Sequence, residues 1–132
     1  MRQRWLQISL WIAQVLLALA YGSAGYLKTF TPIPDLTAMM GWPGDFPAWF
    51  VRFVGIAEIA GAVGMILPAA TRILPWLTPL AAAGFSVVQI AAIGLHATRG
   101  ETAMTLPINL LLLGLSLFAL WGRWRRLPIA PR

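Results

Sequence analysis

Four stretches of the chain, 5–27, 48–67, 73–95 and 104–122, are almost continuously apolar, and the few polar residues inside them recur at helical spacing. Gln14, Tyr21, Gly25 and Lys28 are separated by seven, four and three residues, which places them on one face of a first helix. Ser86, Gln89 and His96 share a face of the third stretch, and Asn109 and Ser116 share one of the fourth. In the second stretch Glu58 stands among Gly55, Gly61 and Ala62. Each stretch is close to the ~20 residues that cross ~30 Å of hydrocarbon. In lipid, four polar faces are satisfied only by turning toward one another. The pattern predicts an all-α fold: a single domain over 1–132, built as a four-transmembrane-helix bundle with short loops and one longer outer loop after the first helix.

The punctuation between spans agrees. The long connection, 29–47, contains Pro32, Pro34, Gly41, Pro43, Gly44 and Pro47, and its middle, 35–40, is expected to form one or two helical turns after Pro34. Pro68 is expected to stop the second helix, Pro75 to sit in the first turn of the third, and Pro79 to bend it. Gly55, Gly61 and Gly64, with Ala57, Ala60 and Ala62, give the second helix a small surface. Small residues let membrane helices approach closely, so this helix is expected at the centre of the bundle.

Composition makes the bilayer the expected solvent. The chain is 59% hydrophobic and 11% charged, with a mean hydropathy of +0.75, whereas soluble domains carry about 25% charged residues. The net charge of +6 does not point to nucleic acid, because the basic residues lie at span ends and are not gathered among stacking aromatics. Arg2, Arg4, Arg72, Arg123, Arg125, Arg126 and Arg132 fall on one side, and Lys28, Arg52 and Arg99 on the other. The positive-inside rule then places both termini in the cytoplasm, with anionic headgroups as partners of those arginines. Trp5, Trp11, Trp76, Trp121 and Trp124 mark the cytoplasmic level, and Trp42 and Trp49 the outer one. The apolar run continues past Ala18-Leu19-Ala20 to Leu27, so a retained first helix is expected rather than a cleaved signal. Cysteine is absent, which excludes disulfide, iron–sulfur and thiolate-zinc chemistry within the chain. A lone histidine does not build a multi-histidine metal site, so no metal is assigned.

Depth singles out Glu58. It lies ten residues, ~15 Å, into the second span, near the midplane, where an ionised carboxylate is costly unless paired or hydrated. Lys28 and His96 are expected at the outer boundary and Gln89 and Asn109 roughly 8 to 10 Å below it. The implied shape is a polar cleft open to the outer face with Glu58 at its floor. Glu58, His96, Lys28, Asn109, Gln89, Gln14 and Tyr21 are thus the candidate ligand-binding or proton-handling residues, with none assigned as catalytic. The alternatives stay open at each: Glu58 as interhelical glue, His96 as an interfacial histidine, Lys28 snorkelling to headgroups, Gln89 and Asn109 as packing groups. Arg52 is off the Glu58 face, and Arg99 and Glu101 read as loop charges.

In order and spacing, Tyr21-Gly22-Ser23-Ala24-Gly25-Tyr26-Leu27-Lys28, Gly55-Ile56-Ala57-Glu58-Ile59-Ala60-Gly61, Leu67-Pro68, the 77–84 segment, His96 with Arg99-Gly100-Glu101, and Asn109 resemble the DoxX-like membrane proteins. The resemblance implies a four-helix protein of the bacterial inner membrane. Members have been linked to redox biology, including a quinone-coupled thiosulfate-oxidising complex and a membrane-associated oxidative-stress assembly. It implies an accessory or quinone-interacting subunit of a redox partner, with no intrinsic cofactor and a quinone as the candidate ligand; enzyme activity of the chain by itself is not expected but is left open. A proton-linked small-solute carrier using Glu58, and a structural or assembly protein with no ligand, are the alternatives. Self-association is left open.

Overall fold

A computed structural model describes residues 2–132. Four long helices, α1 (Arg2–Phe30), α3 (Ala48–Thr71), α4 (Leu77–Thr98) and α5 (Thr102–Trp121), are joined by short turns except where α2 (Ile33–Met40) and a 3-10 turn (Trp42–Asp45) fill the connection after α1. All four are long and apolar enough to cross a membrane, and α2 begins at Ile33, so that Pro34 lies in its first turn. The helices pack as a square, with α1 beside α3 and α5, and α4 beside α3 and α5. Their outward faces carry Trp5, Ile12, Leu19, Phe53, Val87 and Leu111, all exposed. That apolar exterior suits hydrocarbon, while the polar stripes face in.

The bundle has a terminal end, which holds both termini and the α3–α4 turn, and a loop end, which holds α2, the 3-10 turn and the α4–α5 turn. Leu17, Tyr21, Met65, Ala82, Phe85 and Ala119 form the central core. Leu36, Trp42 and Val51 form a second core that seats the α2 connection on the loop end.

Three expectations are corrected. No helix is central, because four helices with one inward stripe each close into a square; the small face of α3 instead serves two contacts, Gly55 against α1, and Gly61 and Gly64 against α4. Pro68 does not end α3, which continues to Thr71 and stops at Arg72 in a left-handed conformation (φ 60°). Proline lacks the N–H that would bond the carbonyl four residues back; the freed carbonyl of Gly64 accepts the Thr78 hydroxyl at 2.7 Å. The third span starts at Leu77 rather than 73, so Pro79 falls in its first turn, where proline replaces no helical hydrogen bond.

Candidate functional site

The site begins with two glycines. A Cβ on Gly25 would stand 2.7 Å from the Gly55 carbonyl oxygen, so α1 and α3 touch backbone to backbone there. Side chains lean toward the N-terminus of their own helix. Because α1 and α3 are antiparallel, Lys28 leans toward the terminal end and Glu58 toward the loop end. They meet, with Lys28 Nζ 2.6 Å from Glu58 Oε1. Glu58 is 3% exposed and the lysine side chain 13%, so this is a buried ion pair and not a snorkelling lysine beside an isolated acid.

Glu58 belongs to a polar layer to which every spanning helix contributes. Tyr21 is nine residues, ~13 Å, from the end of α1. Gln89 lies at a similar depth on α4 and Asn109 about 10 Å into α5. Gln89 Nε2 donates to the Tyr21 hydroxyl at 2.5 Å across the bundle. The Tyr21 ring stacks on Phe85 at 3.7 Å between centroids, and Phe85 fits because Gly61 leaves the space a Cβ would take. Two buried atoms in this layer, Gln89 Oε1 and Asn109 Nδ2, have no hydrogen-bond partner.

The loop end covers the layer. The Trp42 ring lies 5.7 Å from Lys28 Nζ, a cation–π contact. Arg52 Nη1 donates to the Lys28 and Thr31 carbonyls at 2.9 and 2.6 Å, closing the C-terminus of α1, whose last carbonyls lack helical partners. Two surface grooves on α1, one along Gln7 to Leu16 and one along Ala18 to Leu27, do not include Glu58, Gln89 or Asn109 in their walls. The polar layer lies beneath this folded connection.

His96 is brought not to Glu58 but to a second cluster. Gly100, at φ +72°, turns the chain at the end of α4 so that Glu101 N–H reaches the His96 carbonyl at 2.9 Å and Gly100 N–H that of Ala97 at 3.3 Å. That turn sets Glu101 Oε1 2.9 Å from His96 Nδ1; the carboxylate only accepts, so Nδ1 carries the hydrogen. Arg99 donates to Glu101 at 3.1 Å and also pairs with Asp45 of the α2 connection. The His96 hydrogen bond, reinforced by the Arg99 charge, holds the Glu101 carboxyl below its ordinary 4.5. A carboxyl lowered by folding contributes stability that is present above its unfolded value and lost as pH falls through the folded one. Proteolysis of the 31–47 connection is therefore expected to rise in acid below that ordinary value, and Glu101→Gln should diminish the acid step.

Gln14 also lies apart. It belongs to the terminal end, where Nε2 donates to the Met65 carbonyl at 2.6 Å and Oε1 accepts from Arg123 Nε at 2.7 Å. Arg123, expected among headgroups, is buried, because the α5 helix widens into a π turn over Gly122–Arg126 that carries its side chain inward. The residues missed by pattern are Trp42, Asp45, Arg52 and Arg123. The signals available were weak: a tryptophan between a glycine and a proline, and an arginine two residues beyond the end of a span.

The bundle, its lipid-facing exterior and its internal polar layer define a four-span integral membrane protein. The match to the DoxX-like family model runs over residues 12–119, four-fifths or more of the spans and their loops, and the chain belongs to that family. No curated protein and no solved structure matches it.

Proposed function

We propose that the protein is an accessory membrane subunit of a redox system, holding the polar head of a quinone in the layer of Tyr21, Glu58, Gln89 and Asn109. The observation that carries this is the pair of unpartnered buried atoms. A buried polar group without a partner is costly, and the two are complementary to the two states of such a head: Asn109 Nδ2 donates to a quinone carbonyl, and Gln89 Oε1 accepts from a quinol hydroxyl. Lys28 and Glu58, paired in the same bundle interior, can exchange a proton with the reduced head. The redox chemistry is the carrier's and its partner's, since this chain has no cysteine. Asn109→Leu should leave the bundle folded, as it removes an orphaned atom, and Gln89→Leu should cost some stability because it also takes the Tyr21 hydroxyl's partner; each should lower quinone retention about tenfold, the ratio expected for one lost hydrogen bond to a desolvated head. Retention is read by mass spectrometry of extracts from gently purified protein; unchanged retention in both variants overturns the proposal.

A purely structural role is favoured by the Lys28–Glu58 pair, which satisfies itself without a ligand. Under that role no quinone is retained by the wild type at all.

The membrane is taken as a bacterial-type cytoplasmic membrane with the terminal end inside. Arg2, Arg4, Arg72, Arg125, Arg126 and Arg132 lie at that end outside the core, against Arg52 and Arg99 at the other. A single cysteine appended at the C-terminus is expected to resist an impermeant thiol reagent in intact cells, with no native cysteine to confuse the readout. Labelling there, with protection of a cysteine at position 38, would invert the assignment.

A further inference from the structure

Arg123 is a buried cation without an anion. Its side chain sits at the terminal end with the residue 2% exposed. Nε bonds Gln14, Nη1 bonds Gln7 and the Leu127 carbonyl, and the guanidinium lies 5.6 Å from the centre of the Trp11 ring. All these partners are neutral, and Nη2 has none. The four acidic residues of the chain are elsewhere: Asp35, Asp45 and Glu101 belong to the loop end and Glu58 to the Lys28 pair. Among the described residues no carboxylate forms an ion pair with Arg123. An uncompensated charge in such a place is strongly unfavourable, so the missing partner is an anion from outside the chain.

The neighbouring surface indicates what kind. Gln7 and Trp11, which touch the guanidinium, are also walls of a groove of about 400 Å³ that continues along Ile8, Ile12, Val15 and Leu16. The nine helical steps from Gln7 to Leu16 make that groove ~13 Å long, close to the ~15 Å depth of one leaflet's hydrocarbon. Its Gln7 end lies near the exposed Arg4 of the same helix and in the same end as Arg125 and Arg126.

We infer that the terminal end holds one anionic glycerophospholipid, with an acyl chain along the Gln7–Leu16 groove and its phosphate on the Arg123 guanidinium, reached when the Gln7 side chain that bonds Arg123 swings aside, since Nη2 is fully buried. Charge fixes the headgroup class: arginine binds phosphate through several N–H groups at once, and a zwitterionic headgroup brings its own cation into a region already rich in arginine. The site is separate from the quinone layer and independent of that proposal.

The test uses the full chain, delipidated in detergent, with phosphatidylglycerol and phosphatidylcholine of matched chains and, separately, inorganic phosphate. Native mass spectrometry should show phosphatidylglycerol retained about tenfold over phosphatidylcholine, and only phosphatidylglycerol should raise the thermal midpoint. Arg123→Lys should keep the preference and Arg123→Met should abolish it. Arg123→Met should also unfold at the same or a higher temperature than wild type without lipid, since it deletes an uncompensated charge; a residue serving only as glue to Gln14 and Gln7 would give lower stability with and without lipid. Ile12→Trp, at a position 56% exposed on the groove, fills the chain's path without disturbing the core and should lower phosphatidylglycerol retention with Arg123 intact. Equal retention of the two lipids by wild type, a preference that survives both Arg123→Met and Ile12→Trp, or a stabilisation by inorganic phosphate equal to that by phosphatidylglycerol would each overturn the assignment.

Discussion

Glu58→Ala is expected to destabilise the bundle in detergent by about 3 kcal/mol or more, because it leaves the Lys28 ammonium buried beside a void with its counter-charge gone. Breaking a buried pair is far costlier than replacing it. The double substitution Lys28→Met with Glu58→Leu should therefore regain most of the loss, as apolar side chains of similar volume fill the same space between α1 and α3. Glu58→Gln should fall between the two, keeping the shape and one hydrogen bond. Unfolding by denaturant in micelles, followed by far-ultraviolet circular dichroism, measures all three. A double variant no more stable than Glu58→Ala would mean that the pair's charges, and not its packing, hold the layer.

The second large effect is expected at the helix contact that makes the pair possible. Gly55→Val should cost about 2 kcal/mol or more. Even its Cβ would stand 2.8 Å from Lys28 Cβ and 2.9 Å from the Gly25 carbonyl oxygen, and neither can withdraw without moving a helix. Moving α3 also draws Glu58 away from Lys28, so the variant should lose part of the pair as well as the packing. Gly84→Ala and Gly114→Ala are the controls: a Cβ at either meets nothing within 4 Å, and each should be near neutral. Equal effects at all three positions would mean that glycine acts here through helix propensity rather than close approach.

The sequence displayed the bundle because lipid imposes a simple rule on it: apolar outside, polar groups turned in. Span number, the inward stripe of Gln14, Tyr21 and Gly25, and the short helix after Pro34 follow from that rule. Pairing was less legible. Lys28 and Glu58 are thirty residues apart, and their depths, counted along each helix separately, placed them at different levels. Only the Gly25–Gly55 contact and the opposed lean of side chains on antiparallel helices bring them together. His96 was drawn toward Glu58 by periodicity, but the Gly100 turn returns Glu101 to it first. Pro68 and Arg123 failed for a shared reason: each depends on a partner from another helix, the Thr78 hydroxyl in one case and the Gln14 amide in the other. Polar residues at similar depth do converge, and Tyr21 and Gln89 bond one another across the bundle.

Under the proposed function the polar layer receives the head of a quinone. A photoreactive quinone analogue, bound to the protein in detergent or nanodiscs and mapped by peptide mass spectrometry, tests it most directly. Adducts are expected within α1 near Tyr21, α4 near Gln89 and α5 near Asn109, displaced by unmodified quinone and lost in the Gln89→Leu, Asn109→Leu double variant. Adducts confined to the lipid-facing groove of Ala18 to Leu27, unchanged in that variant, would contradict it.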